Sequence, residues 1–128
     1  MHSNAEVARR AYDAFLSGDM AAMSSLMTDD VVWHSPGNNP LSGTYRGREE
    51  VFGLFAKLAG LLDGPMNMDI HNILASDDHV VSLISTVAAR GDKRLEGRNV
   101  HIMHISDGRI AEFWNYPEDS AAADAFFS

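Results

Sequence analysis

The chain has 128 residues, 45% of them hydrophobic, enough for one domain with a real core spanning residues 1–128. Ten basic against eighteen acidic residues give a formal net charge of -8, which argues against a nucleic-acid partner, because phosphates require a basic patch. There is no cysteine, so disulfides, thiolate zinc sites and a cysteine nucleophile are excluded, and no apolar run is long enough to span a bilayer.

The N-terminus, Met1-His2-Ser3-Asn4, has neither the basic flank nor the apolar segment of a signal peptide, so a cytoplasmic protein with no membrane partner is expected. Ser3-Asn4-Ala5-Glu6 reads as a capping box opening a first helix, in which Val7, Ala8, Ala11, Tyr12 and Phe15 recur at helical spacing. Gly18 supplies a left-handed stop, and Asp19 caps a second helix whose buried stripe is Met20, Met23, Leu26 and Met27. A lone strand follows in Asp29-Asp30-Val31-Val32-Trp33-His34-Ser35-Pro36-Gly37, then an irregular stretch from Asn38 to Gly43. A third helix starts near Arg48 and carries Val51, Phe52, Leu54, Phe55, Leu58, Leu61 and Leu62, a stripe so wide that burial on most sides is expected; Gly64-Pro65 ends it. Arg46 and Arg48 flank Gly47 at its start, where pairing with Glu49, Glu50 or Asp29 is the simple expectation and an anion clamp the sharper one.

Four strand patterns come next. Met66, Met68 and Ile70 alternate with polar residues; Val80 to Ala89 is apolar on both faces; Arg94 to Ile105 and Arg109 to Tyr116 are joined by Asp107-Gly108, a strong hairpin signal. Gly91-Asp92 punctuates the earlier hairpin, and Glu118 to Phe127 reads as a short closing helix or tail. On the last two strands Val100, Ile102, Ile110 and Trp114 occupy one parity, and Met103, Ile105, Ala111 and Phe113 the other. A sheet with one solvated face should alternate cleanly instead, so a homodimer through the outer face is expected, with Ile102, His104 and Trp114 in or near the contact.

No catalytic motif of high specificity is present: there is no Gly-rich phosphate loop, nucleophile elbow or zinc-protease helix. Six histidines raise the question of a metal. His101 and His104, three apart on one strand, point to opposite faces; His79 sits in the acidic turn Asp77-Asp78-His79; His2 lies in a loose terminus; His71 with Asp69 makes only a two-residue set. No metal and no other cofactor is therefore expected.

Two helices, a lone strand, a loop and a third helix, all ahead of a run of strands, is an uncommon order. From about Ala5 to Tyr116 it resembles the cone-shaped α+β barrel of the nuclear transport factor 2 (NTF2-like) superfamily, and within it the SnoaL-like and ketosteroid-isomerase-like proteins. The resemblance implies three helices on a strongly curved, mostly antiparallel sheet around one blind pocket. It implies that Val31, Trp33 and Ser35 face that pocket, with Asn99, His101 and Met103, and with Ala111, Phe113 and Asn115. Ala11, Tyr12, Phe15, Phe52 and Phe55 would join them from the helices.

The chain departs from the ketosteroid isomerases where their acids stand. Their carboxylate base corresponds to Ser35, their helix-one phenol to Ala11 with Tyr12 one step on, and their protonated acid to His101; the last-strand acid of SnoaL-like cyclases corresponds to Asn115. His101 is then the best available general acid/base, with Asn115 and Tyr12 orienting substrate or stabilising an oxyanion. The bland alternative is a core histidine satisfied by Asn115, Asn99 or Tyr12. The expectation is a cofactor-free isomerase, cyclase or hydrolase acting on a small apolar carbonyl or epoxide compound, or else a non-catalytic ligand-binding or dimerisation domain of the same fold. One further expectation concerns register: a two-residue turn at Asp107-Gly108 sets His101 opposite Trp114, whereas the resemblance demands a shift by one, which a bulge or a three-residue loop would give; a three-residue turn is the favoured source, bringing His101 across from Phe113 or Asn115.

Overall fold

In the computed structural model, which describes residues 2–128, α1 (Ser3–Ser17) and α2 (Met20–Ser25) lead into β1 (Met27–Ser35) and β2 (Gly43–Arg46). Helix α3 (Gly47–Leu61) follows, then β3 (Asn67–Ala75), β4 (His79–Arg90), β5 (Lys93–Ser106), β6 (Arg109–Pro117) and α4 (Ser120–Phe127). The six strands form one sheet in the order β2-β1-β6-β5-β4-β3. Only β1 and β6 run parallel, which the long intervening chain permits. The first three helices cover the concave face: α1 lies on β3 and β4, α2 on β1, and α3 on β1 and β2. Register shifts interrupt β1–β6, β3–β4 and β5–β6, and each such shift bends its strand and increases its twist. The result is the expected curved, mostly antiparallel α+β sheet; the closing segment read over Glu118 to Phe127 is a helix, α4, a fourth beside the three that the resemblance implies.

Local chemistry explains most boundaries. Gly18 takes φ 75° and returns its N–H to the last carbonyls of α1, while the Asp19 carboxylate accepts from Ala22 N at 3.1 Å. The start of α1 differs from the capping-box reading: the His2 imidazole is the cap, its Nδ1 accepting from Asn4 N at 3.1 Å, and its Nε2 reaches Asp77 at 3.3 Å. His2 is thus tied down rather than loose. Met27 does not belong to the α2 stripe; it opens β1, fully buried. The strand read as lone has a hairpin partner, because Trp33 pairs with Tyr45 and His34 with Thr44. Four-residue β2 has one half-buried and three exposed positions, too weak a pattern to stand out in sequence.

The burial expected for α3 is also corrected. Only Val51 and Leu54 are buried; Phe52, Phe55, Leu58, Leu61 and Leu62 remain half-exposed. The reason is that α3 roofs empty space rather than packed side chains. At its start, Arg48 pairs with Asp29 at 2.7 Å and donates to Met27 O at 2.6 Å, the structural role rather than the anion clamp.

The β5–β6 hairpin settles the register by a different route from the one expected. Asp107 and Gly108 have φ 51° and 75°, the two positive values of a two-residue type I′ turn. Ser106 pairs with Arg109 and Ile105 with Ile110, but His104 pairs with Glu112, so Ala111 is a bulge. Beyond it His101 lies opposite Asn115. The bulge, not a longer turn, makes the shift. It also turns Ile110 to the concave face, fully buried, and takes Ala111 off it, the reverse of the parity read from the sequence.

Candidate active site

The concave face of the sheet and its helical roof enclose a cavity of about 520 Å³. Its wall includes Tyr12, Phe15, Trp33, Ser35, Phe55, Asn99, His101, Met103, Phe113 and Asn115. Phe52, expected there, does not reach it and lies on the outer side of Phe55, with ring centroids 6.1 Å apart. Val31 is packed in the core instead, and Ala111 is removed by the bulge.

Aromatic side chains form one side of this space. The Trp33 and Phe113 rings stack at 3.8 Å, Phe55 meets Trp33 edge-on at 5.3 Å, and Phe15 meets Phe55 at 5.1 Å. These rings pack against one another and leave the centre open, so the cavity is walled rather than plugged. Its carboxylates, Glu96, Glu118 and Asp119, come from the β5 start and the β6–α4 junction.

Two of the polar wall groups, His101 and Asn115, belong to one transverse row of the sheet, whose third member, Ser82, is buried behind the wall. Ser82 on β4 pairs with His101 on β5, which pairs with Asn115 on β6. All three alternate inward with apolar neighbours, so strand periodicity alone brings them to one face. Tyr12 reaches down from α1, and its Oη lies 2.9 Å from His101 Nδ1. Both are buried, at 4% and 7% exposure. Burial raises the phenol above its ordinary range and lowers the imidazole from 6.5 to about 3, so both are neutral at neutral pH. Among the described residues His101 Nε2 has no hydrogen-bond partner, and it is not among the buried unpartnered atoms, so it opens on the cavity. In the tautomer in which the phenol donates to Nδ1, the neutral ring carries its proton on Nε2.

A second relay orients Asn115. Thr86 Oγ1 donates to Asn99 Oδ1 at 3.0 Å, and Asn99 Nδ2 donates to Asn115 Oδ1 at 3.1 Å. The carbonyl of the Asn115 amide is thereby occupied and its NH₂ is left free. Thr86 and Ser82 went unnoticed in the sequence because β4 reads as apolar on both faces. The available signal was parity, since Val80, Ser82, Ile84, Thr86 and Ala88 are its buried set.

Helix α4 borders the mouth through Ala122, Ala123 and Phe127. Asp124 accepts from Asn38 N at 2.9 Å and Asn39 Nδ2 at 2.8 Å, and Glu118 is held by Arg98, whose guanidinium lowers the pKa of that carboxyl. Arg90 and Lys93 donate to the last carbonyls of α4, where cations oppose the helix dipole.

Of the remaining histidines, His34 borders the cavity and the others lie elsewhere. His34 pairs with Glu112 at 2.5 Å and stacks on Trp114, His71 bonds Ser85 at 2.7 Å, and the His79 ring lies 5.0 Å from that of His104. Among the described residues no three histidine or carboxylate side chains converge as metal ligands. No described helix is long and apolar enough to cross a membrane.

Comparison with known proteins agrees with this geometry. The SnoaL-like domain family matches residues 8–113. Bal32a, from a soil-derived mobile gene cassette, superposes with a TM-score of 0.93 at 33% identity, covering 98% of this chain and 97% of its own. An NTF2-like protein from Burkholderia pseudomallei superposes at 0.90 with 21% identity, covering 100% and 99%. IdmH, a candidate polyketide cyclase from Streptomyces antibioticus, superposes at 0.78 with 22% identity, covering 97% and 99%. The chain belongs to the SnoaL-like family and has the NTF2-like fold.

Proposed function

We propose that the protein is a cofactor-free SnoaL-like enzyme, an isomerase, cyclase or hydrolase, that acts on a small, largely apolar carbonyl compound. The observation that carries this reading is the convergence of His101 Nε2 and the Asn115 amide nitrogen on one cavity wall, from paired positions of β5 and β6, each side chain held from behind by its own hydrogen bond. The reading takes the His101 tautomer protonated on Nε2, so that both nitrogens donate. Two pre-oriented donors stabilise negative charge on a carbonyl oxygen as an enolate or tetrahedral centre forms, with water in the cavity accepting the α-proton in the first case and adding to the carbonyl carbon, with loss of a proton to solvent, in the second. The likeness to IdmH is of fold, and a cyclase reaction through an enolate fits the same pair of donors.

The roles expected from sequence shift in emphasis. With its pKa near 3, His101 is a weak base, so its contribution is hydrogen-bond donation to the substrate oxygen, in the neutral form. Tyr12 acts through His101 and is a positioning residue. Trp33, Phe113, Phe15, Phe55 and Met103 bind the apolar body of the substrate, and Ser35 and Asn99 stand at its polar edges.

Exchange of α-protons for deuterium in a panel of aryl ketones and β-diketones, followed by NMR, tests this. The wild type should exceed buffer, and His101→Gln should lose about 10²-fold in kcat, the usual cost of one oxyanion donor. Ligands that bind without exchange would leave the second reading, a small-ligand-binding domain, which is favoured by one observation: the wall positions of the family acids hold Ser35 and Asn115.

The reading includes a second copy of the chain on the outer sheet face. Val100, Ile102, Trp114 and Tyr116 are adjacent there through the pairs Ile102–Trp114 and Val100–Tyr116, with Leu83 39% and Tyr116 53% exposed. Such an apolar outer face on an antiparallel sheet suits a like surface rather than water.

A further inference from the structure

Helices α1 and α3 roof different halves of the sheet, β3–β4 and β1–β2 respectively. Where they approach, side chains close the roof. Phe15 meets Phe55 edge to face, and Phe52 flanks Phe55 from outside. None of the three rings is fully buried, so packing does not fix this seam as it fixes the core.

Outside the seam lies a second cavity of about 470 Å³. Phe15, Phe55, Leu58 and Met66 belong to the walls of both cavities, so four side chains separate them. The other walls come from the α1–α2 corner, the outer half of α3 and the Gly64-Pro65 turn. No wall side chain of this second cavity carries a charge or a hydrogen-bonding group. The first cavity differs, with its donors on the sheet at His101 and Asn115. The two spaces thus lie on either side of one shared wall, the first with polar groups at the sheet and the second apolar. This also accounts for the surplus apolar stripe of α3, whose Leu58 and Leu62 are not part of the packed core.

We infer that the second cavity receives the apolar tail of the ligand whose carbonyl head lies at His101 and Asn115, with Phe15 and Phe55 as the passage between them. The ligand class is a carbonyl compound bearing a hydrocarbon chain or a second aryl group, larger than the first cavity alone would hold. An apolar tail is selected because a polar one would lose its hydration there without a partner. The inference rests on the carbonyl reading above, and the test separates the two.

The probes are 4-hydroxyphenyl ketones whose acyl chain is lengthened stepwise from acetyl to octanoyl, titrated by calorimetry. In the wild type, Kd should tighten with each added methylene, by up to about fourfold per step, the value for full burial of one CH₂. Ala59 is exposed on α3 and lines only the second cavity, so Ala59→Trp fills that space without entering the core. In this variant the acetyl ketone should bind as in the wild type while the gain with chain length disappears. Ala56→Trp, equally exposed on the same wall, repeats the test if the first variant folds poorly. Equal gain in wild type and both variants, or acetyl-ketone binding with no gain in the wild type, overturns the second cavity as a tail site and leaves the carbonyl reading intact. Failure of every ketone to bind the wild type overturns the carbonyl reading and the inference with it.

Discussion

The neutrality of His101 has a direct consequence for stability. In the unfolded chain the imidazole titrates near 6.5, and in the folded protein near 3. Between those values the unfolded state binds one proton more than the folded state, so stability falls as pH drops through this window. This is opposite in sign to a histidine that gains an acidic partner, whose stabilisation grows on protonation. A shift from 6.5 to about 3 makes the contribution nearly zero at pH 7 and about 2 kcal/mol of destabilisation at about pH 5. His101→Gln keeps a hydrogen-bonding side chain but removes the titration. Urea unfolding of both proteins at pH 7, 6 and 5 cancels the carboxylates they share, so the difference between their pH slopes isolates His101. The wild type should lose about 2 kcal/mol more than the variant across that range. Parallel profiles would refute the buried neutral imidazole, and with it the Nε2–H donor on which the proposed chemistry depends.

Two other outcomes follow from particular contacts. Trp114→Arg places a charge at the centre of the outer apolar face, and light scattering at tens of micromolar should show a dimer for the wild type and a monomer for the variant; a monomeric wild type would remove the second copy. Gly37 has φ 89°, and a Cβ there would collide with the Asp124 carboxylate that holds Asn38 and Asn39, so Gly37→Ala should cost about 1–3 kcal/mol in urea unfolding and loosen α4; a change within about 0.5 kcal/mol would show that the latch carries little.

Much of the site was legible because strand parity is local. The family resemblance supplied which face of each strand turns to the pocket, and alternation along the strands then carried Trp33, Asn99, His101, Met103, Phe113 and Asn115 to the cavity wall, with Tyr12 and Phe15 joining them from α1. Gly18, Asp19 and Asp107-Gly108 announce their turns through residue-specific backbone and capping preferences, which need no tertiary partner. Other features were decided only in three dimensions. The Ala111 bulge, which turns Ile110 inward and sets His101 against Asn115, depends on how β6 fits between β5 and β1, not on a residue type that marks bulges. β2 exists because β1 offers it an edge. The apolar stripe of α3 looks the same in sequence whether it meets packed core or open cavity, since periodicity records which side chains avoid water and not what they touch. The choice of Tyr12 as the partner of His101 Nδ1, and the displacement of the imidazole pKa that follows from burial, likewise required α1 to be laid on β4, bringing together residues 89 apart in the chain.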